Sequence, residues 1–551
     1  MILTEKRYWR FLLLAVGALL TGLTVVFPTV GFLEWISLIP VGVFLLSYAS
    51  DPTVRLRTLY GWGLFFFYGY YLVTFHWFVN LYPLDFIDGM TKGAAIAVVL
   101  VAWLGLSLFQ ALMGGLVFVG AGLLFRTGLS SRFPFLRPFL VAGLWAVYEW
   151  TQTLGWWGVP WGRLPLGQVK ALVGLQTASW FGSYFITFLL VAVNGCLAYA
   201  LCAWLSRETV AWHAALKKSC VAVAVMLVFQ YGCGAVIWLT RKPSDTQEKL
   251  TVAVVQGNIS SHEKWELETT ERTREVYRQY TLQAAEEGAQ IVVWPETALP
   301  YTVSEGNSTW RYASSLAKEA RVTILVGAFT KGEEQEYNSI ICFLPDGTTH
   351  ETVYSKRRLV PFGEFVPMRK LFETVVPPLA DLVMSQGEVA WGEGANVFAL
   401  EEGNIGSLIC FDSIYEDLTR ESVLSGAELI CLSTNDSWFT DSAALYMHNA
   451  QAQLRAIETG RYVARSANTG ISTVISSRGE VLAELEPLVD GMLVEEVRLE
   501  QRTTLYTYIG NVSVYLCVLA LAFLLCLDTV EKIRIKRVTK TRKALDISAK
   551  K

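Results

Sequence analysis

The sequence predicts two structural classes in one chain: an α-helical polytopic membrane domain with eight transmembrane helices, and an α/β domain exposed to water. The chain has 551 residues, of which 53% are hydrophobic and 17% are charged, whereas soluble domains contain about 25% charged residues. Only 21 of the first 240 residues are charged. In the remainder, short β-branched runs alternate with amphipathic helical stretches, which is typical of α/β domains. This composition excludes an ordinary cytosolic enzyme.

Apolar runs of about 20 residues, long enough to cross a bilayer, define the predicted transmembrane helices. The eight runs are 9–27, 30–49, 58–78, 94–125, 135–150, 171–205, 215–238 and 504–527. The fourth and sixth runs are long, but two helices and a turn would need about 40 residues. Each of them is therefore predicted to form a single tilted helix.

The basic residues predict the orientation, because short cytoplasmic loops are enriched in Lys and Arg. Basic clusters precede the first run, follow the second and fourth, and separate the sixth from the seventh, whereas the opposite loops hold only Lys92, Arg163 and Lys170. An even number of crossings puts both termini in the cytoplasm. The predicted domains are a membrane domain of seven helices (1–240), an outer domain (241–503), a last transmembrane helix (504–527) and a basic cytoplasmic tail (528–551).

Charge and motif content exclude several functions. The 46 basic and 49 acidic residues give a net charge of −3, which does not indicate a nucleic-acid partner. The sequence has no Cys-x-x-Cys, His-Glu-x-x-His or Gly-rich phosphate loop, so neither a metal nor another cofactor is expected. The outer domain contains Cys342, Cys410 and Cys431. An odd number leaves at least one free thiol, which needs either burial or a chemical role.

The outer domain contains short strands separated by helices. A hairpin is predicted around Pro345-Asp346-Gly347, which has the residue types of a tight turn. The predicted strands are 250–255, 290–294, 322–329, 338–344, 349–354, 405–409, 429–433 and 462–466, and the predicted helices are 269–287, 309–320 and 442–459.

Three polar residues follow the ends of predicted strands: Glu296, Lys356 and Cys410. Ligands of α/β proteins bind where strands end, so we expect these side chains to converge. A thiol attacks as a thiolate, needs a proton acceptor, and gains from a cation near the charge that develops in the intermediate. Each residue also has a purely structural alternative. Cys410 could be a buried core residue, Glu296 could cap the following turn, and Lys356 could be a solvated surface residue of the hairpin.

At these residues the chain resembles the nitrilase superfamily, whose Glu-Lys-Cys triad occupies motifs that here read 294–297 (WPET), 354–356 (YSK) and 408–410 (LIC). The whole layout, with a nitrilase-like domain inserted before a final transmembrane helix, resembles the apolipoprotein N-acyltransferase family. The supporting strings are 149–150 (EW), 158–161 (GVPW), 255–259 (VQGNI), 359–367 (LVPFGEFVP), 433–439 (STNDSWF) and 465–470 (RSANTG).

The resemblance implies an αββα sandwich and acyl transfer in two steps, without a cofactor. By that analogy Cys410 takes an acyl chain from a phospholipid, of the phosphatidylethanolamine type, and passes it to the N-terminal amine of a diacylglyceryl-modified apolipoprotein. Glu296 would relay protons, Lys356 would stabilise the oxyanion, and Glu364 would help to position Lys356. The implied location is a bacterial inner membrane, with the catalytic domain on the periplasmic face.

Further substrate-binding candidates are Glu149, Trp161, Trp265, Asn435 and Trp438. Both implied substrates are anchored in the outer leaflet, and a site held against it avoids exposing an acyl chain to water at about 0.8 kcal/mol per CH₂. The tryptophan-rich loop containing Trp161 suits the membrane interface, although an ordinary aromatic belt has the same composition. Glu149 ends a predicted span, where an ionisable group marks a function or a specific partner, unless it lies at the interface. Segments 372–383 and 438–447 are expected either to admit lipid or to be packed connectors.

One departure from the family pattern follows the thiol. Where the family usually has Cys-Tyr-Glu, this sequence has Cys410-Phe411-Asp412. Phe411 lacks the hydroxyl hydrogen-bond donor, and the Asp412 carboxylate is one methylene closer to the backbone. If these two residues bind the second substrate, turnover or acceptor preference differs from that of the family.

Two rival functions follow from the same sequence. The triad could hydrolyse a C–N bond, which would make the chain a membrane-tethered amidase or nitrilase, although small polar amides need no membrane docking. Alternatively, the outer domain could only bind, as in a transporter or an assembly factor. The membrane part argues against transport, because its spans carry few charges and no paired helices broken by Gly or Pro.

Overall fold

The computed structural model describes residues 6–84, 90–155, 157–206, 212–242, 248–260, 263–264, 267–333, 335–375 and 389–548. The helices of the first part are α1 (Arg7–Val26), α2 (Pro28–Ala49, with 3-10 and π turns), α3 (Leu56–Thr74), α4 (Lys92–Phe125), α5 (Arg137–Thr151), α6 (Ser183–Leu205) and α7 (Trp212–Thr240). Short helical turns are also present at Gly128–Arg132, Leu172–Leu175 and Ala178–Phe181.

Six helices of the described part of the chain are long and apolar enough to cross a membrane, so eight crossings are not confirmed. They are α1, α2, α4, α6, α7 and Val512–Thr539, and they correspond to the first, second, fourth, sixth, seventh and eighth predicted runs. Helix α5 has 15 residues and spans about 22 Å, less than the hydrocarbon core. Helix α3 has 19 residues but is less apolar because it contains four tyrosines, three of which hydrogen-bond to other helices or loops of the protein.

The outer domain contains thirteen described strands. They are β1 (Lys249–Gln256), β2 (Ile291–Val293), β3 (Leu299–Val303), β4 (Thr323–Lys331), β5 (Glu336–Phe343), β6 (Thr349–Ser355), β7 (Val397–Leu400), β8 (Gly403–Ile409), β9 (Leu429–Thr434), β10 (Tyr462–Ala467), β11 (Thr473–Ile475), β12 (Val481–Glu484) and β13 (Gly491–Arg498). The remaining helices are α8 (Leu267–Glu286), α9 (Ser308–Ala320), α10 (Arg369–Val375), α11 (Glu416–Leu424), α12 (Ala443–Thr459), α13 (Leu505–Ile509) and α14 (Val512–Ser548).

These strands form two sheets. One has the order β13-β1-β2-β4-β5-β6, with β3 paired to β4, and the other has the order β12-β11-β10-β9-β8-β7. In the centre of each sheet the strands run parallel: β1 with β2 and β2 with β4 in the first, β8 with β9 and β9 with β10 in the second. The predicted hairpin is confirmed as the antiparallel pair β5–β6.

Alternating side chains build the αββα layers, because successive residues of a strand point to opposite faces. Val293 of the first sheet packs with Cys431 of the second in the core between the sheets. Its neighbour Val292 faces the other way, toward α8 and α9. On the outer side of the second sheet, α11 and α12 belong to a core that continues into the membrane helices. The second sheet therefore rests on the membrane domain through these two helices.

A buried ionic cluster joins the two parts. Arg163, in the loop between α5 and α6, donates from Nη1 to Glu416 Oε2 at 3.3 Å. Tyr184 of α6 donates its hydroxyl to Glu416 Oε1 at 2.6 Å, and Asn511 at the start of the last helix donates to the same oxygen at 3.1 Å. Arg163 and Glu416 are almost completely buried. Buried charges require such pairing, so the contact holds the outer domain in a defined position on the membrane helices.

Candidate active site

Glu296, Lys356 and Cys410 converge where three strands end. Lys356 directly follows β6 and Cys410 directly follows β8, while Glu296 lies three residues beyond β2. Lys356 Nζ donates to Glu296 Oε1 at 2.8 Å, and both charges act on the Cys410 thiol. Cys342 and Cys431 are buried between the sheets, whereas Cys410 is partly exposed. Of the three free thiols in the outer domain, the partly exposed one is therefore the one that lies beside the carboxylate and the amine.

The backbone at Cys410 has an unusual conformation. Its φ is +47°, in the left-handed region that residues other than glycine rarely occupy, and such conformations cluster at functional sites. The residue ends β8 and begins the 3-10 turn Cys410–Ile414. Ser413 Oγ donates to the Cys410 carbonyl at 2.8 Å. This turn directs the thiol away from the strand and toward the charged pair.

A second carboxylate and an amide complete the polar cluster. Lys356 Nζ also donates to Glu364 Oε1 at 3.0 Å. Asn338 of β5 donates from Nδ2 to Glu296 Oε1 at 2.7 Å and to Glu364 Oε1 at 3.0 Å, and the Asn435 backbone N–H donates to Glu296 Oε2 at 2.9 Å. A buried carboxylate, Glu296, and a partly buried one, Glu364, therefore share one ammonium and one amide. Asn338 was not predicted, because its position two residues into a hairpin strand gives no chemical signal in the sequence.

The electrostatics define the resting protonation of the nucleophile. Burial raises the pKa of the Cys410 thiol above its ordinary value, and the Glu296 charge raises it further. Burial opposes the charged form of Lys356, but Glu296 and Glu364 outweigh it and hold the pKa of Lys356 well above its ordinary value. At neutral pH the site therefore contains a thiol beside an ammonium ion. A thiol must lose its proton to attack, so this site needs a base at the moment of reaction.

Asp412 accepts hydrogen bonds from the ends of two strands. Its carboxylate accepts from the Tyr354 hydroxyl at 2.8 Å, the Arg358 N–H at 2.7 Å and the Ile409 N–H at 3.1 Å. The side chain is fully buried, and burial raises the pKa of Asp412 to about 6. Through these hydrogen bonds, Asp412 links the segment after β6, which contains Lys356, to the turn that contains Cys410. Its predicted contact with substrate stays a prediction.

We expect the rate of Cys410 acylation to fall as the pH drops through about 6, because a protonated Asp412 loses acceptors for the backbone N–H groups that it holds. The folded state binds this proton more readily than the unfolded state, so this group does not lower the free energy of unfolding over the same range. An Asp412→Asn variant should be slow at every pH and lack this step, whereas Asp346→Asn, in the exposed hairpin turn, should keep it. The measurement is the acylation rate from pH 5 to 8. If Asp412→Asn shows the same fall in rate near pH 6, another group causes it.

The other predicted residues lie around this cluster. Phe411 is mostly buried and packs edge-on against Tyr415, with ring centroids 5.5 Å apart. The Asn435 side chain accepts from Ser437 and Asn468. Trp438 is partly exposed in the 3-10 turn Ser437–Phe439. Trp265 and most of the predicted lipid segment 372–383 lie outside the described residues.

Trp161 contacts the outer domain, and Glu149 holds the loop of Trp161 within the membrane domain. Glu149 accepts from the Leu164 N–H at 3.0 Å and from the Thr187 hydroxyl at 2.5 Å, which anchors the loop that contains Trp161. Trp161 is buried, with its ring 5.8 Å from Phe439 and 5.4 Å from His448. The loop therefore reaches the helix behind the nucleophile.

One group of possible metal ligands occurs among the described residues. Ligand atoms of Cys410, Asp436 and His448 lie within 4.8 Å of one another. Asp436 is already engaged on both oxygens, at 2.9 Å from His448 Nδ1 and 2.5 Å from Arg465 Nη2. The Arg465 guanidinium supplies the positive charge at this position, so the donor set does not fit a divalent cation.

Two family patterns match separate parts of this chain. The pattern of the carbon-nitrogen hydrolase family matches residues 251–506, and that of the apolipoprotein N-acyltransferase N-terminal domain matches residues 17–196. Among solved structures, Saccharomyces cerevisiae Nit3, a member of branch 10 of the nitrilase superfamily, is 19% identical, with 47% of this chain and 93% of that chain covered and a TM-score of 0.37.

Curated relatives cover most of the chain. An apolipoprotein N-acyltransferase of Gloeobacter violaceus is 32% identical, with 87% of this chain and 87% of the relative covered. Those of Geobacter metallireducens and Photobacterium profundum are 33% and 27% identical, over 68% and 93% of this chain and 71% and 94% of the relatives. The chain therefore belongs to the apolipoprotein N-acyltransferase family.

Proposed function

We propose that this enzyme transfers an acyl chain from a phospholipid to the N-terminal amine of a diacylglyceryl-modified apolipoprotein, through an acyl thioester on Cys410. Family membership supports the overall reaction. The observation that carries the mechanism is the cluster of a partly exposed thiol, a carboxylate and an ammonium ion at one sheet edge. The donor is a membrane phospholipid of the phosphatidylethanolamine type, and no cofactor takes part.

In the first step, Glu296 removes the proton from the Cys410 thiol, and the sulfur attacks the ester carbonyl carbon of the phospholipid. The carbonyl oxygen becomes an oxyanion, which the Lys356 ammonium stabilises. The C–O bond then breaks, and the proton held by Glu296 passes to the departing alkoxide. The products are a lysophospholipid and an acyl thioester on Cys410. Glu364 keeps Lys356 in place, since both carboxylates bind the same ammonium.

In the second step, the neutral amine of the lipid-modified cysteine attacks the thioester carbonyl carbon. Glu296 takes a proton from the attacking nitrogen, and Lys356 again stabilises the oxyanion. The C–S bond breaks, an amide is released, and the proton on Glu296 returns to the Cys410 sulfur. The same three groups serve both half-reactions, which is typical of covalent catalysis by an activated nucleophile.

The membrane helices hold the active site close to the lipid bilayer. Both substrates carry acyl chains in the outer leaflet, and the outer domain rests on the membrane helices through α11 and α12. We place the enzyme in a bacterial inner membrane with residues 241–503 on the periplasmic face and both termini in the cytoplasm. Shorter helices α3 and α5 complete eight crossings with the six long ones. They pack against α4 through a cluster of aromatic rings that includes Phe67, Phe118 and Trp145.

An exchange reaction tests this two-step route. The protein in detergent is given unlabelled phosphatidylethanolamine and labelled lysophosphatidylethanolamine, with no diacylglyceryl-cysteine peptide. A thioester intermediate predicts that the label enters the phospholipid, because the acyl chain returns from Cys410 to any lysophospholipid. If a diacylglyceryl-cysteine peptide is acylated under conditions where no exchange occurs, the two-step route is wrong. Release of ammonia from simple amides, with no peptide acylation, would make the protein an amidase.

A further inference from the structure

A series of buried, hydrogen-bonded polar side chains lies directly behind the nucleophile. Arg465 of β10 donates to Asp436 Oδ2 at 2.5 Å, and Asp436 Oδ1 lies 2.9 Å from His448 Nδ1. The opposite ring nitrogen, His448 Nε2, lies 3.0 Å from Ser413 Oγ and 3.2 Å from the carbonyl oxygen of Cys410. The four side chains of this series of polar contacts are at least 99% buried.

The direction of these bonds follows from the groups involved. A carbonyl oxygen only accepts, and Ser413 Oγ already donates to the Cys410 carbonyl at 2.8 Å. The nitrogen that faces both oxygens is therefore the donor, so His448 Nε2 carries a hydrogen. The Cys410 carbonyl is thus held by two donors from inside the protein.

This contact bears on the conformation that presents the thiol. Cys410 has a φ of +47°, and a residue other than glycine keeps this left-handed conformation only where its surroundings fix it. Two hydrogen bonds to the carbonyl fix the peptide plane that follows Cys410. Rotation of this plane would turn the side chain away from Glu296 and Lys356.

The membrane domain supports the same ring. Trp161 packs against His448, with ring centroids 5.4 Å apart. The Pro160 carbonyl beside it accepts from Gln451 of the same helix at 3.1 Å, and the Gly158 carbonyl accepts from Tyr415, just after the Cys410 turn, at 2.6 Å. The loop of the membrane domain therefore fixes the histidine from one side, and Asp436 fixes it from the other.

We propose that His448 is a positioning residue for the nucleophile: through Nε2 it holds the Cys410 carbonyl, and Trp161 and Asp436 hold its ring for that purpose. This assignment deepens the proposed function and rests on it only for the identity of the reaction. His448 does not touch the acyl group. Its effect is on the rate at which Cys410 reacts and not on the affinity for the phospholipid.

Two substitutions separate this role from simple packing. His448→Gln keeps a donor near the Nε2 position and loses the contact with Asp436, whereas His448→Asn keeps a group near Asp436 and loses the donor to Cys410. We expect Cys410 to react about 10²-fold more slowly in His448→Asn, the usual cost of a misplaced reacting group, and less than about 10-fold more slowly in His448→Gln. His350→Gln, the same change on the partly exposed hairpin strand β6, is the matched control and should behave like the wild type.

The readout is the rate of Cys410 alkylation by iodoacetamide, measured on its peptide by mass spectrometry, beside the kcat and KM for phospholipid. Alkylation needs no acyl donor, so the result stands even if the proposed acyl transfer fails. Slower alkylation and lower kcat in His448→Asn, with KM unchanged and with rescue in His448→Gln, would support the proposal. Equal loss in both variants, or the greater loss in His448→Gln, would overturn it. Ser413→Ala keeps His448 and provides a second variant, expected to slow alkylation by less than His448→Asn.

Discussion

Replacement of Cys410 by alanine abolishes acyl transfer to a diacylglyceryl-cysteine peptide, with an expected loss of at least about 10⁴-fold in kcat. Removal of the nucleophile of a covalent enzyme has cost about 10⁶-fold where it was measured, and no neighbouring group here can form the thioester. Cys342 and Cys431 are buried between the two sheets, so neither can substitute for it. The fold should survive, because Cys410 packs only at the edge of that core.

The control for this variant is Cys526→Ala, which removes an exposed thiol from the last transmembrane helix. It should retain the wild-type rate. The informative companion is Cys410→Ser, because a hydroxyl keeps the shape but is a much weaker nucleophile than a thiolate. Cys410→Ser should therefore be slow, and transfer by Cys410→Ala at more than a few per cent of the wild-type rate would mean that the acyl chain passes directly between the substrates.

Substitution of Glu296 by glutamine produces the second large effect, a loss of about 10²–10⁴-fold in the rate of Cys410 acylation, which is the usual contribution of a general base. The pKa of the Cys410 thiol is raised by burial, so almost no thiolate exists without a proton acceptor. Glutamine has the size of glutamate but cannot accept this proton. It also presents an NH₂ group where Lys356 and Asn338 now donate.

The kinetic signature of this variant distinguishes chemistry from binding. The KM for phospholipid should change little, because Glu296 is buried and bonded within the protein. Glu351→Gln, on the exposed part of β6, is the matched control and should leave kcat unchanged. A Glu296→Gln variant that acylates Cys410 at the wild-type rate would exclude the carboxylate as the base.

The sequence predicted the elements that depend on local patterns. Glu296 and Cys410 are predicted at strand ends because β2 and β8 are mostly buried runs. Lys356 is predicted at a strand end because the half-buried strand β6 follows a recognisable turn. Strands β3, β7, β11 and β12 were missed because they have only three to five residues, too few for an alternating pattern. The longer strand β13, with eight residues, was also missed. The predicted count of eight spans is not confirmed, because apolar composition does not show that α5 has only 15 residues.

The supporting residues of the site could not be predicted, for a different reason. Asn338, Asp436 and His448 have their roles only because the sheets bring them together, and each is an ordinary polar residue in its own segment. Asp412 shows the same limit, since the sequence does not indicate that its carboxylate accepts from backbone N–H groups at two strand ends. Trp161 was predicted at the membrane interface and is buried beside His448.

The most direct test of the mechanism is a search for the acyl thioester itself. The purified protein is incubated with a phospholipid labelled in its acyl chain, denatured in acid, and digested. We expect label on the Cys410 peptide that hydroxylamine removes, that is absent from Cys410→Ala, and that passes to a diacylglyceryl-cysteine peptide when this is added before denaturation. Label on another residue, or none on a protein that acylates the peptide, would contradict the assignment of Cys410 as the acyl carrier.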